Sequence, residues 1–310
     1  MIRPNPAERI GKPPAAAAKS AFGSASMVLP LRRVLMRAPG RANALADPAV
    51  WNYTGRVDLG VAAAQHRAFV DLLEASGCDV TLLEDDALDT LADAIYTHDT
   101  SLVATAGAIL LRMGKSLRRG EEAVHERAYE RMAVPIVGRI EAPGTVEGGD
   151  CLWIDEHTLF VGRGFRTNAS GLEQLTAILK PADVQVLSFD LPVAGGQRDC
   201  MHLMSIVSLL DADLVLGMLP AMPVRLFEAF AERGIRIVEA PLGEYQHSRG
   251  ISANVLAVGP RDCVMVEGFP ETVVALEEAG CRVRTFPGTE ICSKMEGGPT
   301  CLTRPVRRHS

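Results

Sequence analysis

The chain has 310 residues, 47% of them hydrophobic, with 32 basic and 38 acidic side chains and a formal charge of −6. This is enough apolar material for a large core in one or two domains, and the acidic balance argues against nucleic acid or an anionic membrane as the main partner while suiting a cationic small molecule. No uncharged apolar run approaches the ~18 residues of a spanning helix, and the seven scattered cysteines, an odd number without a C-x-x-C pair, speak against a disulfide framework or a zinc knuckle and for the reducing cytoplasm.

Residues 1–26 are rich in Ala, Pro and Ser, carry a single acid (Glu8) against Arg3, Arg9, Lys12 and Lys19, and lack the apolar segment of a secretory signal. They read as a flexible tail, with an organelle-targeting peptide as the alternative. Residues 27–310 read as one catalytic domain built on a loose repeat. In chain order, RRVLMRAP precedes the helical segment GVAAAQHRAFVDLLEASG and the strand CDVTLLE; GAILLRMG precedes EEAVHERAYERMA and VPIVGRIE. HTLFVGRG then precedes GLEQLTAILKPA and DVQVLSFD, ADLVLGML precedes MPVRLFEAFAERG and IRIVEAP, and ANVLAVG precedes FPETVVALEEAG and CRVRTFP. Gly77, Gly234 and Gly280 suit left-handed helix ends; the second and third units fit less cleanly. Five strand–helix–strand units can close into a ring whose loops meet at a centre. The alternative, an open nucleotide-binding sheet, lacks its glycine turn: Gly162-x-Gly164 follows a strand, but Thr167 stands where the third glycine belongs.

Polar residues at the strand ends supply the candidate chemistry. Lys294-Met-Glu-Gly-Gly-Pro-Thr-Cys301 delivers a thiol through a glycine–proline turn onto an apolar strand, and a thiol reacts as thiolate beside a base or a positive field. The other reading of such a cysteine is a small buried hydrophobe, which is the reading adopted for Cys78, Cys263 and Cys281. His202 opens an apolar stretch and alone reads as a core histidine as readily as a base. Glu147-Gly-Gly-Asp150 either brings backbone close to something or forms a plain acidic turn. Asp93, His98 and Asp99 lead into another short strand. Carboxylates at the ends of apolar segments are costly to bury unless they meet a cation, and a planar guanidinium suits several at once.

These blocks resemble the guanidine-modifying superfamily (arginine deiminases, dimethylarginine dimethylaminohydrolases and amidinotransferases). The resemblance runs from about residue 30 to 305, through Tyr96-Thr-His-Asp99, Glu147-Gly-Gly-Asp150, Phe165-Arg-Thr-Asn168, Met201-His-Leu-Met-Ser205, Ser252-Ala-Asn-Val-Leu256 and Gly297-Gly-Pro-Thr-Cys301. It implies a five-bladed α/β propeller, with Cys301 as nucleophile, His202 as general acid/base and Glu147 as a carboxylate on the guanidinium. Asp93 and Asp99 are implied as substrate-binding carboxylates, with His98 a further substrate-binding candidate, Arg118 and Arg166 as grips on the substrate α-carboxylate, and Glu296 as a lining of the amino-acid end; Arg118 also reads as an exposed helix-start arginine, with Arg119 able to serve instead. Two positions depart from the pattern. Met204 stands where deiminases of arginine and agmatine carry Asp, which favours the dimethylarginine branch. His98 stands where that branch carries an acid. The expected substrate is a small cationic guanidino amino acid, without cofactor or metal; an amidinotransferase and a non-catalytic binding propeller are the alternatives. No segment suggests an acceptor pocket, and Met204 is expected to close the site beside the histidine. The oligomeric state, a homo-oligomer included, is left open.

Overall fold

Each repeat builds its own three-stranded sheet, five in all, in a computed structural model that describes residues 21–193, 196 and 201–309. β1 (Leu31–Met36) is followed by the Leu59–Ala75 helix and β2 (Asp79–Leu82). β3 (Ser101–Val103), β4 (Ala108–Leu110) and β5 (Ile136–Arg139) form the second sheet, with the Glu121–Arg131 helix between the last two. The third has β6 (Cys151–Asp155), β7 (Thr158–Arg163) and β8 (Gln185–Asp190), and the fourth β9 (Val207–Asp211), β10 (Leu214–Gly217) and β11 (Arg236–Glu239). The fifth has β12 (Leu256–Gly259), β13 (Asp262–Val266) and β14 (Arg282–Phe286); β15 (Arg304–Arg308) then returns to pair antiparallel with β1 and completes the first sheet. Inner and middle strands are antiparallel in every sheet, whereas middle and outer strands, joined through a helix, are parallel. The architecture is the expected five-bladed α/β propeller.

Burial explains which strands the sequence reveals. The middle strands β4 and β10 are buried throughout and β7 almost so, so they read as continuous apolar runs. The outer strands mix exposed and part-buried residues. The inner strand of each blade was not part of the expected repeat, although strands were expected just after Asp99 and Cys301, where β3 and β15 lie; β3 spans only three residues, too few for a periodic signal. The fifth unit is corrected in the same way: ANVLAVG contains the inner strand β12, and the strand leading into the helix is β13. The helix ends follow one rule. Gly77, Gly234 and Gly280 have φ of 79°, 67° and 90°, and Ala133 and Asp183, both at 55°, hold the same left-handed position in the two less regular units. A side chain there costs about 1 kcal/mol relative to glycine, which is why those units looked irregular.

A large core joins the blades, with Trp153, Phe69, Phe160 and Phe230 among its largest buried side chains, and a smaller cluster that includes Leu88, Val124 and Tyr129 lies beside it. Neighbouring inner strands touch around the centre, β9 against β12 and β3 against β15. Because inner and middle strands run antiparallel, segments preceding inner strands and segments following middle strands emerge at the same end of the molecule. Residues 21–26 are not tail: Gly23 donates its N–H to Val306 O at 2.9 Å and accepts from Arg308 N, and Ser24 and Ser26 are buried. Residues 1–20 lie outside the described residues. Among the described residues no helix is long and apolar enough to cross a membrane.

Candidate active site

Five equivalent positions converge at one end of the ring. Asp99 precedes β3, Glu147 precedes β6, His202 precedes β9, Asn254 precedes β12 and Cys301 precedes β15. Arg118 and Arg166 follow the middle strands β4 and β7 and reach the same place. An inner cavity of about 40 Å³ is walled by Asp93, Asp99, Lys115, Arg118, Arg166, His202, Glu296 and Cys301, among others. Residues more than 200 positions apart in sequence thus share one small space.

His202 is the best fixed of these. Its Nε2 lies 2.8 Å from Glu147 Oε2, and its Nδ1 lies 4.0 Å from Asp99 Oδ1. A carboxylate only accepts, so the Nε2 proton is directed to Glu147 and Nδ1 is left as the basic nitrogen of the neutral ring. Glu147 is fully buried and does not line the cavity; it takes hydrogen bonds from the Lys115 N–H at 2.9 Å and from Arg166 Nη1 at 3.1 Å. Burial alone would raise its carboxyl, but the His202 hydrogen bond and Arg166 outweigh that and hold it below the usual carboxylate range. It therefore holds the histidine from behind.

The two glycines of Glu147-Gly-Gly-Asp150 mark a close approach of chains, which resolves the choice left open by the sequence. A Cβ on Gly148 would fall 2.0 Å from His98 O, and one on Gly149 would fall 2.4 Å from His202 Nδ1. Asp150 then accepts from the Leu203 N–H at 3.0 Å and the Thr167 hydroxyl at 2.6 Å, tying the Glu147 turn to the His202 turn. Burial pushes the Asp150 carboxyl up to about 6.

Asp99 Oδ1 accepts from the Gly149 N–H at 2.9 Å and Oδ2 from Arg118 Nη1 at 2.5 Å. Burial opposes its charge, yet Arg118 and His202 hold it ionised below the usual range. Arg118 also grips both oxygens of Glu121 at 2.9 and 2.8 Å and donates to Tyr96 O at 2.9 Å. Four of its five N–H groups therefore serve the protein's own acceptors, which makes Arg118 a strut for Asp99 more than a grip on a ligand carboxylate. Arg166 remains placed for that grip, lining both the cavity and the groove outside it. Asp93 accepts from Tyr53 Oη at 2.8 Å and from Lys115 Nζ at 2.5 Å. Glu296, at a left-handed φ of 64°, is held by Asn52 Nδ2 at 2.8 Å and by an ion pair with Arg249.

His98 is not part of this site. It sits in the turn at residues 97–100 and faces a different set of groups; Nδ1 lies 2.8 Å from Thr303 O, and Arg304 Nη2 sits 2.7 and 2.8 Å from its two nitrogens. Burial and Arg304 keep it neutral, well below the usual histidine range. Cys301 is part-exposed, with Asn254 Nδ2 3.4 Å from its sulfur; Asn254 Oδ1 also accepts from the Thr300 N–H. Asn254 and Lys115 received no role from sequence. Asn254 sat in a matched block, but nothing in the residues around Lys115 distinguishes it from a surface lysine. Glu121 received no role from sequence either, since Arg118 and Glu121 lie in separate helices on either side of Gly120.

The inner cavity opens two ways. Through Asn52, Lys115 and Arg166 it meets a vestibule of about 580 Å³. Past His202, Glu296 and Cys301 it meets a chamber of about 260 Å³ with Met201, Tyr245 and Ile251 in its walls. Met204 was expected to close that side; it is buried and lines neither space, so the chamber stays open. Asp99, Glu147 and His202 offer ligand atoms within 4.8 Å of one another, close enough for a divalent ion. Arg118 and Arg166 already bring positive charge onto these carboxylates, so such an ion would meet two guanidinium groups.

A sequence-family model described as arginine deiminase matches residues 87–231. An N(G),N(G)-dimethylarginine dimethylaminohydrolase of Streptomyces coelicolor is 32% identical over 281 residues, covering 90% of this chain and 98% of the relative. The enzyme of the same description from Pseudomonas aeruginosa is 29% identical over 272 residues, covering 88% and 98%. A crystal structure of a cysteine-to-serine variant of the Pseudomonas aeruginosa enzyme, complexed with citrulline, superposes with a TM-score of 0.72 at 26% identity and the same coverage.

Proposed function

Because the chain belongs to the guanidine-modifying superfamily, in its dimethylarginine dimethylaminohydrolase branch, we propose that it is an amidinohydrolase acting on arginine or an N-substituted arginine. Hydrolysis of a C–N bond in a linear amidine is the chemistry of its relatives, named dimethylarginine dimethylaminohydrolase and arginine deiminase. The observation that carries the reading is the meeting of Cys301, His202 and Asp99 on one cavity with Glu147 directly behind the histidine.

In the first half-reaction His202 Nδ1 takes the proton of the Cys301 thiol, and the resulting thiolate forms a bond to the guanidinium carbon. The bond from that carbon to the departing nitrogen breaks, and this nitrogen keeps the electron pair and takes a proton from His202. Ammonia or an alkylamine leaves, and an amidino-thioether remains. In the second half His202 takes a proton from water, the oxygen bonds to the same carbon, and the carbon–sulfur bond breaks to return the thiolate and release a ureido product. Asp99 holds the planar cation so that its carbon faces sulfur, which is a positioning effect. Glu147 keeps the histidine oriented and stabilises its charged form.

Turnover in water enriched in heavy oxygen tests this. One label should enter the ureido product, in buffer with no added amine, detected by mass. The chamber beyond Cys301 has room for an amine, so the refuting outcome is concrete: turnover only when an amine is supplied, with a new guanidino compound formed, makes the chain an amidinotransferase.

A further inference from the structure

Lys115 is paired with Asp93, a carboxylate in the wall of the inner cavity. Its backbone N–H donates to Glu147 at 2.9 Å, which fixes its Cα beside the site. Its ammonium lies 2.5 Å from Asp93 Oδ2, 3.1 Å from Trp51 O and 5.2 Å from the centre of the Trp51 ring. The other oxygen of Asp93 takes the Tyr53 hydroxyl at 2.8 Å. Both oxygens of a buried wall carboxylate are therefore filled by the protein itself. A second ammonium brought to Asp93 would lie within a few ångströms of the first, in a space too enclosed for water to screen the repulsion.

The vestibule carries the same message independently. Its charged lining is Lys115 and Arg166, and no acid is among its lining residues. Val50, Leu117 and Phe165 line it while remaining 55%, 38% and 47% exposed, an apolar wall with nothing to offer an ammonium. Glu296, the remaining acid near this end, is already held by Asn52 and Arg249. With Lys115 held by Asp93, Arg166 beside an apolar wall and no acid suits a carboxylate attached to an uncharged, partly apolar group.

The geometry points to a substrate that is a guanidino carboxylate without a free α-ammonium: an arginine acylated on its α-nitrogen, or an ω-guanidino acid. The guanidinium passes to Asp99 and Cys301, the carboxylate stays with Arg166, and the acyl group or its absence is accommodated in the vestibule. This rests on the amidinohydrolase reading and narrows it.

The test compares kcat/KM for arginine, Nα-acetylarginine and 5-guanidinopentanoate, which is arginine without its α-amine, in the wild type and in Lys115→Ala. One or both compounds lacking the ammonium should exceed arginine by roughly tenfold or more, the ratio worth a single modest charge contact. Lys115→Ala should shift that ratio toward arginine by a similar factor. Which of the two leads shows whether the vestibule binds the acyl group or merely spares an ammonium. A wild type that prefers free arginine, or a Lys115→Ala variant in which all three substrates fall equally, overturns the inference. Calorimetric binding of Nα-acetylcitrulline against citrulline to Cys301→Ser protein separates the two readings. If no guanidino compound is turned over, the hydrolase reading falls, and tighter binding of citrulline than of acetylcitrulline would sink the inference by itself.

Discussion

Replacing Gly149 by alanine should disable the histidine without touching it. The added Cβ would lie 2.4 Å from His202 Nδ1, 2.8 Å from its Cγ and 3.0 Å from Asp99 Oδ1. Ordinary carbon contacts begin near ~3.5 Å, so the ring must retreat by about 1 Å. Gly149 is not among the residues with positive φ, so the cost is steric. The 2.8 Å bond from His202 to Glu147 would then be stretched or bent past useful geometry. A misplacement of that size costs on the order of 100-fold in rate, and overpacking a tight site costs about 1–3 kcal/mol of stability. The assay is steady-state kinetics of ureido product formation beside a thermal melt. The expected result is kcat down roughly 100-fold, KM within a few-fold, and a midpoint lowered by several degrees. A folded variant whose kcat stays within about threefold of wild type would show that the placement of His202 does not matter to the reaction.

Cys301→Ser should abolish turnover and leave the melting curve nearly unchanged, because it removes a nucleophile and almost no buried volume; wild-type activity in this variant would refute the covalent mechanism. Cys292 is fully buried and its thiol is pushed far up by that burial, so Cys292→Ser should keep kcat while lowering stability by about 1–3 kcal/mol through a buried hydroxyl; a large loss of kcat at full stability would contradict this. Treatment with EDTA should leave activity intact, since Arg118 and Arg166 already neutralise the carboxylates that could hold an ion; loss restored by a divalent cation would show a metal at work. Asp150 has a folded pKa raised to about 6 from an ordinary 3.8, so its protonated form favours the folded state, and that contribution is present below pH 4 and lost as pH rises through 6. Asp150→Asn removes the titration, so its stability relative to wild type, measured by urea unfolding, should improve between pH 4 and 7; a flat difference would mean that Asp150 is not destabilised by burial.

Much of this protein was legible in order along the chain. Buried middle strands such as Ala108–Leu110 and Leu214–Gly217 must be apolar on both faces, and helix ends need a left-handed residue, so the repeat and its count appear in the residues themselves. The special turns Glu147-Gly-Gly-Asp150 and Gly297-Gly-Pro-Thr-Cys301 were visible because close approach leaves no room for a Cβ. What the sequence alone determined was therefore local: periodicity, turns and residue types at strand ends. Direction and partnership were decided only by the tertiary structure. His98 and Asp99 are neighbours, yet one faces Arg304 and the other the cavity. Arg118 was legible as a cation near a ligand, but whether it meets a ligand carboxylate or Glu121 and Asp99 depends on how separate turns pack. Lys115 gave no sequence signal, because its importance lies in an acid 22 residues away in another turn. Electrostatic pairing across blades depends on distances of a few ångströms, and those distances exist only once the ring has closed.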